Sequence, residues 1–336
     1  MRMVKTKIIR VSSQHPEASA IEEAAEVLRN GGLVAFPTET VYGLGADATS
    51  PETIKKVFEV KGRPPDNPLI VHISDPAQLQ FLAKGIPPKG KLLAETFWPG
   101  PLTIVVKRSD RVSDIVSAGL DTVAIRMPNH PITLQLVKVF GRAIVGPSAN
   151  ISGTPSPTTA EHVFNDLHGK IDLILDAGPT QIGVESTVVD VTADPPLILR
   201  FGALARSQIE KVIGFISTAA GNEELRRSPG TRHRHYAPAA KVILFEEGHL
   251  SQLRSELGDH RALGKRVGCI VHSVGVMGDD AFVVSLPSDI ERYSQQLFSA
   301  LRELDERGVD VILVECVPEV GIGEAVMDRL RRAAHG

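Results

Sequence analysis

Short apolar runs, separated by turn residues and by helical patterns, constrain the fold of this chain most strongly. Each run has the length of a typical strand and falls short of a typical helix. The runs occupy residues 33–36, 69–73, 102–106, 123–125, 143–145, 173–175, 187–191 and 197–199. Such a series, interrupted by helical stretches near 76–82 and 131–140, predicts a mixed α/β domain with many strands that extends to about residue 217.

Two helices near the start of the chain carry recognisable ends. Residues 17–30 place apolar side chains on one face, and a glycine follows as a stop signal. The next helix begins with Ser50 as N-cap and Pro51 at its first position, because a serine hydroxyl satisfies a free backbone N–H and proline has none to satisfy. We expect this helix to end at Lys61 and Gly62, before a pair of prolines.

The composition changes after residue 217. Residues 218–240 contain glycines, prolines and basic side chains with almost no apolar periodicity, which is typical of a linker. Beyond the linker, helical stretches alternate with apolar runs, which occupy residues 242–245, 267–271 and 309–314. We therefore predict a first domain at 1–217, a basic linker at 218–240 and a small Rossmann-like parallel α/β domain at 241–336.

Net charge and cysteine content limit the classes of protein to which the chain can belong. A formal charge of −3 argues against a protein that wraps nucleic acid. Cys269 and Cys316 lie in apolar runs, so we expect small buried residues of a reducing compartment. No spaced set of cysteines or histidines predicts a metal site. Without a signal-peptide pattern or an apolar run of membrane length, we expect a cytoplasmic protein that makes no membrane contact.

A polar segment after the first predicted strand is the strongest sign of a ligand site. Residues 36–48 place Thr38 and Thr40 directly after an apolar run, with Gly43 and Gly45 following. We expect the two glycines to let the chain turn tightly or approach a ligand closely, at a strand end of the kind where α/β proteins bind ligands. They also fit part of a dinucleotide fingerprint, but the strand-to-helix setting is missing, so we expect no dinucleotide here.

Two basic segments are candidate anion sites. Lys61 and Arg63 flank a glycine in a proline-stiffened loop, where lysine supplies a point charge and arginine can donate paired hydrogen bonds to phosphate or carboxylate. The same residues also fit the cationic end of a helix followed by a solvated loop. Arg126 lies on a strand predicted at 121–126, where either a buried carboxylate or an anionic ligand would balance its charge. The residues alone leave both pairs of alternatives open.

Small polar residues flank two further apolar runs. Gly146, Ser148 and Asn150 follow one run, and Ser186 precedes another. Backbone N–H groups and hydroxyls in such turns can hold phosphate oxygens. An ordinary serine or asparagine turn has the same composition, so both interpretations stay open at this stage.

Taken in order, these segments resemble the YrdC-like family of threonylcarbamoyl-AMP synthases. The matching motifs are FPTETVYGLG (36–45), KGRP (61–64), NPL (67–69), WPGPLT (98–103), VAIRMP (123–128), PSANISG (147–153), ESTVVD (185–190) and RFGA (200–203). The linker segment 228–238 and the segment 321–330 resemble the longer, two-domain type of this family, so the resemblance covers essentially the whole chain. The chain departs from the family pattern at Thr231, Arg232 and His233, where relatives commonly carry Met-Lys-Tyr.

The resemblance implies an enzyme that converts L-threonine, bicarbonate and ATP into L-threonylcarbamoyl-adenylate, pyrophosphate and water. It implies a YrdC-like first domain whose mixed twisted sheet and helices form a basic cleft. It also implies that the product passes to a tRNA threonylcarbamoyl-transferase complex, for threonylcarbamoyladenosine in tRNAs that read codons starting with A. A weak contact with tRNA itself is left open. Mg²⁺ is expected on the phosphates of ATP, without a tightly bound metal site in the protein.

The resemblance further implies the roles of individual residues. L-threonine would be bound by Thr40, His72, Arg126 and Ser186, with Arg126 on the carboxylate. ATP would be surrounded by Arg63, Asn67, Thr122, Gly146, Ser148, Asn150 and Arg200, with Tyr236 of the linker closing over the nucleotide. The candidates for the catalytic contacts to the carbamate group and the α-phosphate are Lys61, Arg63 and Ser148. No general base is evident.

Three other classes of function fit the sequence less well. An RNA-binding module needs stacking platforms, yet aromatic residues make up only 4% of the chain. A carbamoyl-transfer domain of the hydrogenase-maturation type would share the fold of the first domain, but its acylphosphatase and zinc-finger-like modules are not in this sequence. A scaffold for a tRNA-modifying assembly would not require so many anion-binding motifs.

Overall fold

The computed structural model describes residues 4–230, 235–273 and 282–335. The linker residues Thr231, Arg232 and His233, at which the sequence departs from the family pattern, lie outside the described residues. In the described part of the chain, the strands form one mixed sheet of eleven strands and one parallel sheet of four. The predicted α/β class, with a second and smaller parallel sheet, is therefore confirmed.

The large sheet contains every apolar run predicted for the first domain. Its strands are β1 (Lys7–Arg10), β2 (Val34–Phe36), β3 (Gly43–Asp47), β4 (Ile70–His72), β5 (Leu102–Lys107), β6 (Thr122–Arg126), β7 (Ile144–Val145), β8 (Leu173–Asp176), β9 (Thr187–Asp190), β10 (Leu197–Arg200) and β11 (Ser217–Thr218). They lie in the order β1-β8-β2-β3-β7-β4-β6-β5-β9-β10-β11. Of these, β1, β3 and β11 were not predicted. The predicted domain boundaries at 217 and 240 stay a prediction.

Helices cover the large sheet and alternate with the strands of the small one. They are α1 (Ala18–Arg29), α2 (Pro51–Lys61), α3 (Leu79–Leu82), α4 (Pro88–Phe97), α5 (Asp114–Ser117), α6 (Pro131–Phe140), α7 (Ala160–Leu167), α8 (Arg206–Ile213), α9 (Asn222–Leu225), α10 (Leu250–Ala262), α11 (Ile290–Glu306) and α12 (Gly323–Ala334). Among the described residues there is no helix with both the length and the apolar character that a membrane crossing requires.

Helix α2 shows how closely local sequence sets the position of a candidate site residue. The Ser50 hydroxyl accepts a hydrogen bond from the backbone N–H of Thr53, and Pro51 occupies the first turn. Gly62 ends the helix with a φ of 60°, a left-handed conformation that glycine adopts without a steric penalty. Both predicted ends are confirmed, and they place Lys61 on the last turn of the helix.

The prediction of a glycine-bearing turn at residues 43–45 is wrong. Gly43 and Gly45 lie in β3, which pairs antiparallel with β2, and the chain reverses earlier, between residues 37 and 42. A Cβ atom on Gly43 would lie 2.6 Å from Cζ of Phe36, and one on Gly45 would lie 3.1 Å from Cε1 of the same ring. The glycines therefore make room for Phe36.

The small sheet belongs to the C-terminal part of the chain. Its strands are β12 (Lys241–Phe245), β13 (Val267–Val271), β14 (Phe282–Ser285) and β15 (Val311–Glu315), in the order β12-β15-β13-β14. All pairs are parallel, as predicted from apolar runs that alternate with helices.

The two sheets belong to parts of the chain that pack tightly together. Val41 and Val184 of the first part share an apolar core with side chains of α11 and α12. The Ser294 hydroxyl of α11 donates to the carbonyl of Ile182 at 2.9 Å. A Cβ atom on Gly183 would lie 2.4 Å from the Cα atom of Gln295, so this contact tolerates no side chain at position 183. The C-terminal part is thereby placed against the polar segment that follows β2.

Candidate active site

A cleft lies where several neighbouring strands of the large sheet end. His72, Arg126 and Arg200 are the last residues of β4, β6 and β10, and Gly146 directly follows β7. All four line one cavity. The sheet topology therefore brings together side chains that the sequence separates by more than a hundred positions.

Most of the predicted site residues meet at this cavity. Its lining includes Arg63, His72, Arg126, Gly146, Ser148, Asn150, Ser186, Arg200 and Tyr236. Thr40, Lys61 and Asn67 each contact a lining residue through a hydrogen bond. Thr122 is placed elsewhere, because it begins β6 at the opposite end from Arg126, about 13 Å away along the strand. Its predicted contact with ATP is therefore the least supported by the arrangement.

Lys61 is buried and holds one wall of the cleft in place. Its Nζ donates to the carbonyl oxygens of Ser148 and Asn150, both at 2.5 Å, and lies 3.3 Å from Oδ1 of Asn150. Burial and the neighbouring charge of Arg63 hold the pKa of Lys61 well below its ordinary value. The ammonium group thus fixes the loop that carries Ser148. Lys61 does lie on the last turn of α2, but it is buried and not solvated.

Arg63 occupies the loop after α2 and is also buried. Its Nε donates to the carbonyl of Asn67 at 3.1 Å, and its Nη2 donates to the carbonyl of Pro68 at 2.6 Å. Asn67 in turn accepts a hydrogen bond from the backbone N–H of Gly230 at 3.2 Å. The loop is therefore folded around the buried guanidinium group, although Pro65 and Asp66 are exposed, and it touches the linker.

Arg126 faces a buried carboxylate and the cleft at the same time. Its Nη2 lies 2.7 Å from Oε2 of Glu39, and its Nη1 donates to the Thr40 hydroxyl at 2.9 Å. Nη2 and both Glu39 oxygens lack a hydrogen-bond partner among the described residues. The two charges are therefore in contact, but their geometry is not that of a hydrogen bond. Of the two alternatives for Arg126, the ion pair is therefore present, and donor capacity remains for an anionic ligand.

His72 contributes a neutral imidazole. Burial and the charge of Arg126 lower its pKa to about 3, so the ring carries no charge near neutral pH. Its Nδ1 has no hydrogen-bond partner among the described residues. A Cβ atom on Gly146 would lie 2.6 Å from that nitrogen, which explains why a glycine stands beside the ring. An unpaired buried nitrogen next to the cleft is available to a ligand.

Ser186 and Arg200 join two strands to the linker. The Ser186 hydroxyl lies 2.7 Å from that of Thr103 on β5. Arg200 donates from Nη2 to the carbonyl of Ser186 at 2.9 Å and to its hydroxyl at 3.2 Å, and from Nη1 to the carbonyl of Pro229 at 3.2 Å. Arg200 therefore fixes both Ser186 and the middle of the linker.

Glu185, which lies in the matching motif ESTVVD, and Arg329 received no role in the sequence analysis. Glu185 lines the cavity and accepts a hydrogen bond from Nε of Arg329 at 2.8 Å. Arg329 lies on α12, which buries Val326 and Leu330 on the same face. A charged residue within the apolar stripe of a helix requires a buried partner, and this signal was present in the sequence. Its partner, 144 positions away, could not be identified from it.

The polar side chains of the cleft indicate which kinds of ligand it can bind. No group of three or more histidine, cysteine or acidic side chains comes together in the parts of the chain that the structure describes. The polar atoms facing the cleft are mostly cationic or neutral donors, which suit anions. The arrangement can therefore bind phosphate and carboxylate groups.

Two family models match the chain. One is described as telomere recombination and covers residues 26–202. The other is described as threonylcarbamoyl-AMP synthase, C-terminal domain, and covers residues 204–335.

Curated proteins and solved structures are similar over nearly the full length. The chain is 49% identical to the threonylcarbamoyl-AMP synthase of Pyrococcus abyssi over 322 residues, which are 94% of each chain. It is 47% identical to that of Bacillus subtilis over 324 residues, 94% of this chain and 93% of that one. The crystal structure of Pyrococcus abyssi Sua5 complexed with L-threonine is similar with a TM-score of 0.94 at 48% identity, covering 98% of this chain and 97% of that one.

Proposed function

The chain belongs to the threonylcarbamoyl-AMP synthase family, and we propose that its cleft joins L-threonine, bicarbonate and ATP into threonylcarbamoyl-adenylate, with release of pyrophosphate and water. The chain is thus an enzyme of the nucleotidyltransferase type. The observation that carries the proposal for the cleft is its excess of buried positive charge. The cationic side chains there are Lys61, Arg63, Arg126 and Arg200, each less than a tenth exposed. Each substrate carries negative charge, so such a site is complementary to all three.

We assign the threonine to the part of the cleft around Arg126. The guanidinium group retains donor capacity at Nη2 and would bind the substrate carboxylate. Thr40 and Ser186 offer hydroxyl groups within contact of Arg126 and Arg200. His72, neutral because its pKa is lowered to about 3, can bind the ligand without adding charge. The similar Pyrococcus abyssi protein was crystallised with L-threonine, which supports an amino-acid pocket in this fold.

We assign the phosphates of ATP to the side of the cleft that carries Arg63 and Arg200. Ser148 donates its hydroxyl to Oδ1 of Asn150 at 2.6 Å, in a loop that Lys61 fixes from behind. Gly146 precedes this loop and leaves its backbone open to the cavity. Asn67 and Tyr236 would contact the nucleotide from the linker side, and Thr122 stays a prediction for the same ligand.

The reaction can proceed in two steps that these residues would support. The amine nitrogen of threonine attacks the carbon of bicarbonate, a carbon–oxygen bond breaks, and water leaves to give a carbamate. A carbamate oxygen then attacks the α-phosphorus of ATP, and the bond from that phosphorus to the bridging oxygen of pyrophosphate breaks. Negative charge grows at the α-phosphate in this step. Arginine and lysine groups fixed before reaction stabilise it without reorganisation, and the shared cleft supplies proximity.

Magnesium belongs to the proposal as a companion of ATP. The described residues contain no cluster of acidic side chains that would cage a cation. Mg²⁺ is commonly held by phosphate oxygens and water, so the cleft fits a metal that arrives with the nucleotide. It would offset phosphate charge during the second step.

The fate of the product is also part of the proposal. A carbamoyl-adenylate is a mixed anhydride that reacts with nucleophiles, so a tRNA threonylcarbamoyl-transferase complex would have to take it over promptly. The adenosine beside the anticodon of tRNAs that read codons starting with A would be the acceptor. A cytoplasmic location follows from these partners. A weak direct contact with tRNA is a further prediction.

The small volume of the cavity supports the proposal that the linker moves when ATP binds. The cavity encloses about 50 Å³, whereas sites for ligands of this size usually enclose about 300–1,000 Å³. Pro229, Gly230 and Tyr236 form the linker side of its wall. We propose that this wall opens for the nucleotide and closes over it.

Pyrophosphate release in the absence of RNA tests the proposed activity. Full-length protein with ATP, Mg²⁺, L-threonine and bicarbonate is expected to release pyrophosphate, and omission of threonine or bicarbonate is expected to abolish the release. An RNA-binding module would release none under any of these conditions. Pyrophosphate release that ignores threonine would contradict the assignment of the Arg126 pocket.

A further inference from the structure

Arg329 reaches from the C-terminal domain into the wall of the cleft. It lies on α12 and is fully buried. Its Nε donates to Oε2 of Glu185 at 2.8 Å, and its Nη2 donates to the carbonyl of Phe201 at 2.8 Å. Its guanidinium carbon lies 5.0 Å from the centre of the Tyr236 ring, close enough for a cation–π contact. These contacts join it to the first domain and to the linker.

Two of the side chains that Arg329 contacts line the cavity. Glu185 and Tyr236 belong to its wall, and Ser156 donates its hydroxyl to the second oxygen of Glu185. Burial opposes the charge of Glu185, but the charges of Arg329 and Arg200 lower its pKa below its ordinary value. The carboxylate therefore stays ionised and fixed between two arginines.

Tyr236 has a backbone conformation that requires support. Its φ of 64° lies in the left-handed region, which is unfavourable for an aromatic residue and persists only where the surroundings hold it. The ring is stacked on Phe298 of α11 at 5.5 Å between centroids. Arg329 contacts it from α12. Two helices of the C-terminal domain thus hold the strained linker residue.

The phenol of Tyr236 is directed towards the predicted phosphate side of the cleft. A Cβ atom on Gly230 would lie 3.4 Å from Oη of Tyr236 and 3.5 Å from Nη1 of Arg200. The phenol, the linker glycine and a predicted ATP-binding arginine therefore meet at one point. A shift of Tyr236 would therefore alter this wall of the cleft.

We propose that Arg329, together with Phe298, is a positioning residue of the active site that holds Tyr236 and Glu185 in the geometry needed for ATP. This inference rests on the proposed function and extends it to the C-terminal domain. None of the described residues of this domain lines the cavity. The domain sets the nucleotide side of the cleft through two side chains.

Steady-state kinetics of two variants test this role. Arg329→Met keeps an unbranched but shorter side chain and removes its charge and donors. Phe298→Leu keeps every charge and removes the stacked ring. Each variant is expected to raise KM for ATP by up to about 100-fold, the size of effect that follows when a reactant is displaced by about an ångström. KM for threonine is expected to change by less than about threefold, because the Arg126 pocket keeps its contacts. Arg329→Lys, which keeps the charge without the planar fork, is expected to lie between Arg329→Met and the wild type.

Stability measurements and a control on the same helix separate positioning from plain folding. Arg331→Met alters an exposed arginine of α12 that pairs with Glu319 and is expected to leave both KM values unchanged. If Arg329→Met does not fold, Phe298→Leu decides, since a volume-similar apolar exchange is usually tolerated. The inference would be overturned if Arg329→Met lost stability in urea but kept an unchanged KM for ATP. Where Arg329→Met does not fold, the same result in Phe298→Leu would overturn it. An inactive wild type would contradict the proposed function instead.

Discussion

Buried charge is balanced differently in the two domains. In the second domain, Glu315 at the end of β15 accepts hydrogen bonds from the backbone N–H groups of His272 at 2.9 Å and Ser273 at 3.0 Å, and from the Ser273 hydroxyl. In the cleft of the first domain, Arg126 meets Glu39 without an aligned hydrogen bond at Nη2. A charged side chain whose hydrogen bonds are all made by neighbouring protein groups serves the structure. A charged side chain with unused donors is suited to bind a ligand.

The difference separates the chemistry from its support. The cleft gathers cations whose backbone partners hold them in place, as the carbonyls of Ser148 and Asn150 hold Lys61. The second domain contributes Arg329 to the wall of that cleft, whereas the hydrogen-bond donors to Glu315 belong to the second domain itself. Substitutions in the two regions are therefore expected to have different consequences, and four changes test this from the largest expected effect to the smallest.

Replacement of Lys61 is expected to have the largest effect on activity. Lys61→Met removes the ammonium group that fixes the Ser148 loop, so kcat/KM for adenylate formation is expected to fall by about 10²–10³-fold, the loss typical of one preorganised electrostatic contact. Steady-state pyrophosphate release measures it. Lys55→Met on the exposed face of the same helix is the matched control and is expected to retain wild-type activity. Equal losses in both variants would remove the special role of Lys61.

Arg126→Lys tests the pocket assigned to threonine. A lysine keeps the charge but loses the planar pair of donors, and a hydrogen bond to a charged group contributes about 1.5–3 kcal/mol. KM for threonine is therefore expected to rise by roughly 10- to 100-fold, with a small change in KM for ATP. A variant that loses ATP affinity and keeps its affinity for threonine would show that the two pockets are assigned the wrong way round.

The histidine of the cleft predicts a dependence of stability on pH. The pKa of His72 is about 3 in the folded protein and about 6.5 when unfolded. The unfolded state therefore binds the proton more readily between these values, and stability falls as the pH falls below about 6.5. We compare the slopes of the free energy of unfolding against pH between pH 6 and 4. The slope of the wild type is expected to exceed that of His72→Gln by about 1.4 kcal/mol per pH unit. Urea unfolding at several pH values measures this, and parallel slopes would contradict it.

Glu315→Gln is expected to have the smallest effect on catalysis. The amide keeps one acceptor oxygen and replaces the other with an NH₂ donor. The free energy of unfolding is therefore expected to fall by about 1–3 kcal/mol, as chemical denaturation would show. Both KM values are expected to stay within about twofold of the wild type, because Glu315 has no contact with the cleft wall. A selective rise in one KM would mean that the second domain takes part in the chemistry beyond Arg329.

The sequence predicts the local features of this molecule better than its long-range contacts. The ends of α2 follow from Ser50, Pro51 and Gly62, because capping depends on neighbours in the chain. The reason for a glycine at position 43 was misjudged. A side chain is excluded there by the Phe36 ring across the β2–β3 pair, and not because the chain turns at this residue.

The partners of the buried charges were beyond sequence reasoning for the same physical reason. Glu39 is the neighbour of a residue assigned to the site, yet its contact with Arg126 depends on how β6 lies beside the segment after β2. Arg329 meets Glu185 only when α12 packs against the first domain. The resemblance to a known family named residues that the structure places mostly at one cavity, and their assigned roles stay predictions.

Mass spectrometry with carbon-13 bicarbonate tests the central claim most directly, because it follows all three substrates into one molecule. Full-length protein incubated with ATP, Mg²⁺, L-threonine and labelled bicarbonate is expected to yield threonylcarbamoyl-adenylate that carries the label. The product is expected to disappear when any substrate is left out and to fall sharply in Lys61→Met. Formation of AMP without a labelled adenylate, or of equal amounts of product by wild type and Lys61→Met, would contradict the cleft as the place where the three substrates are joined.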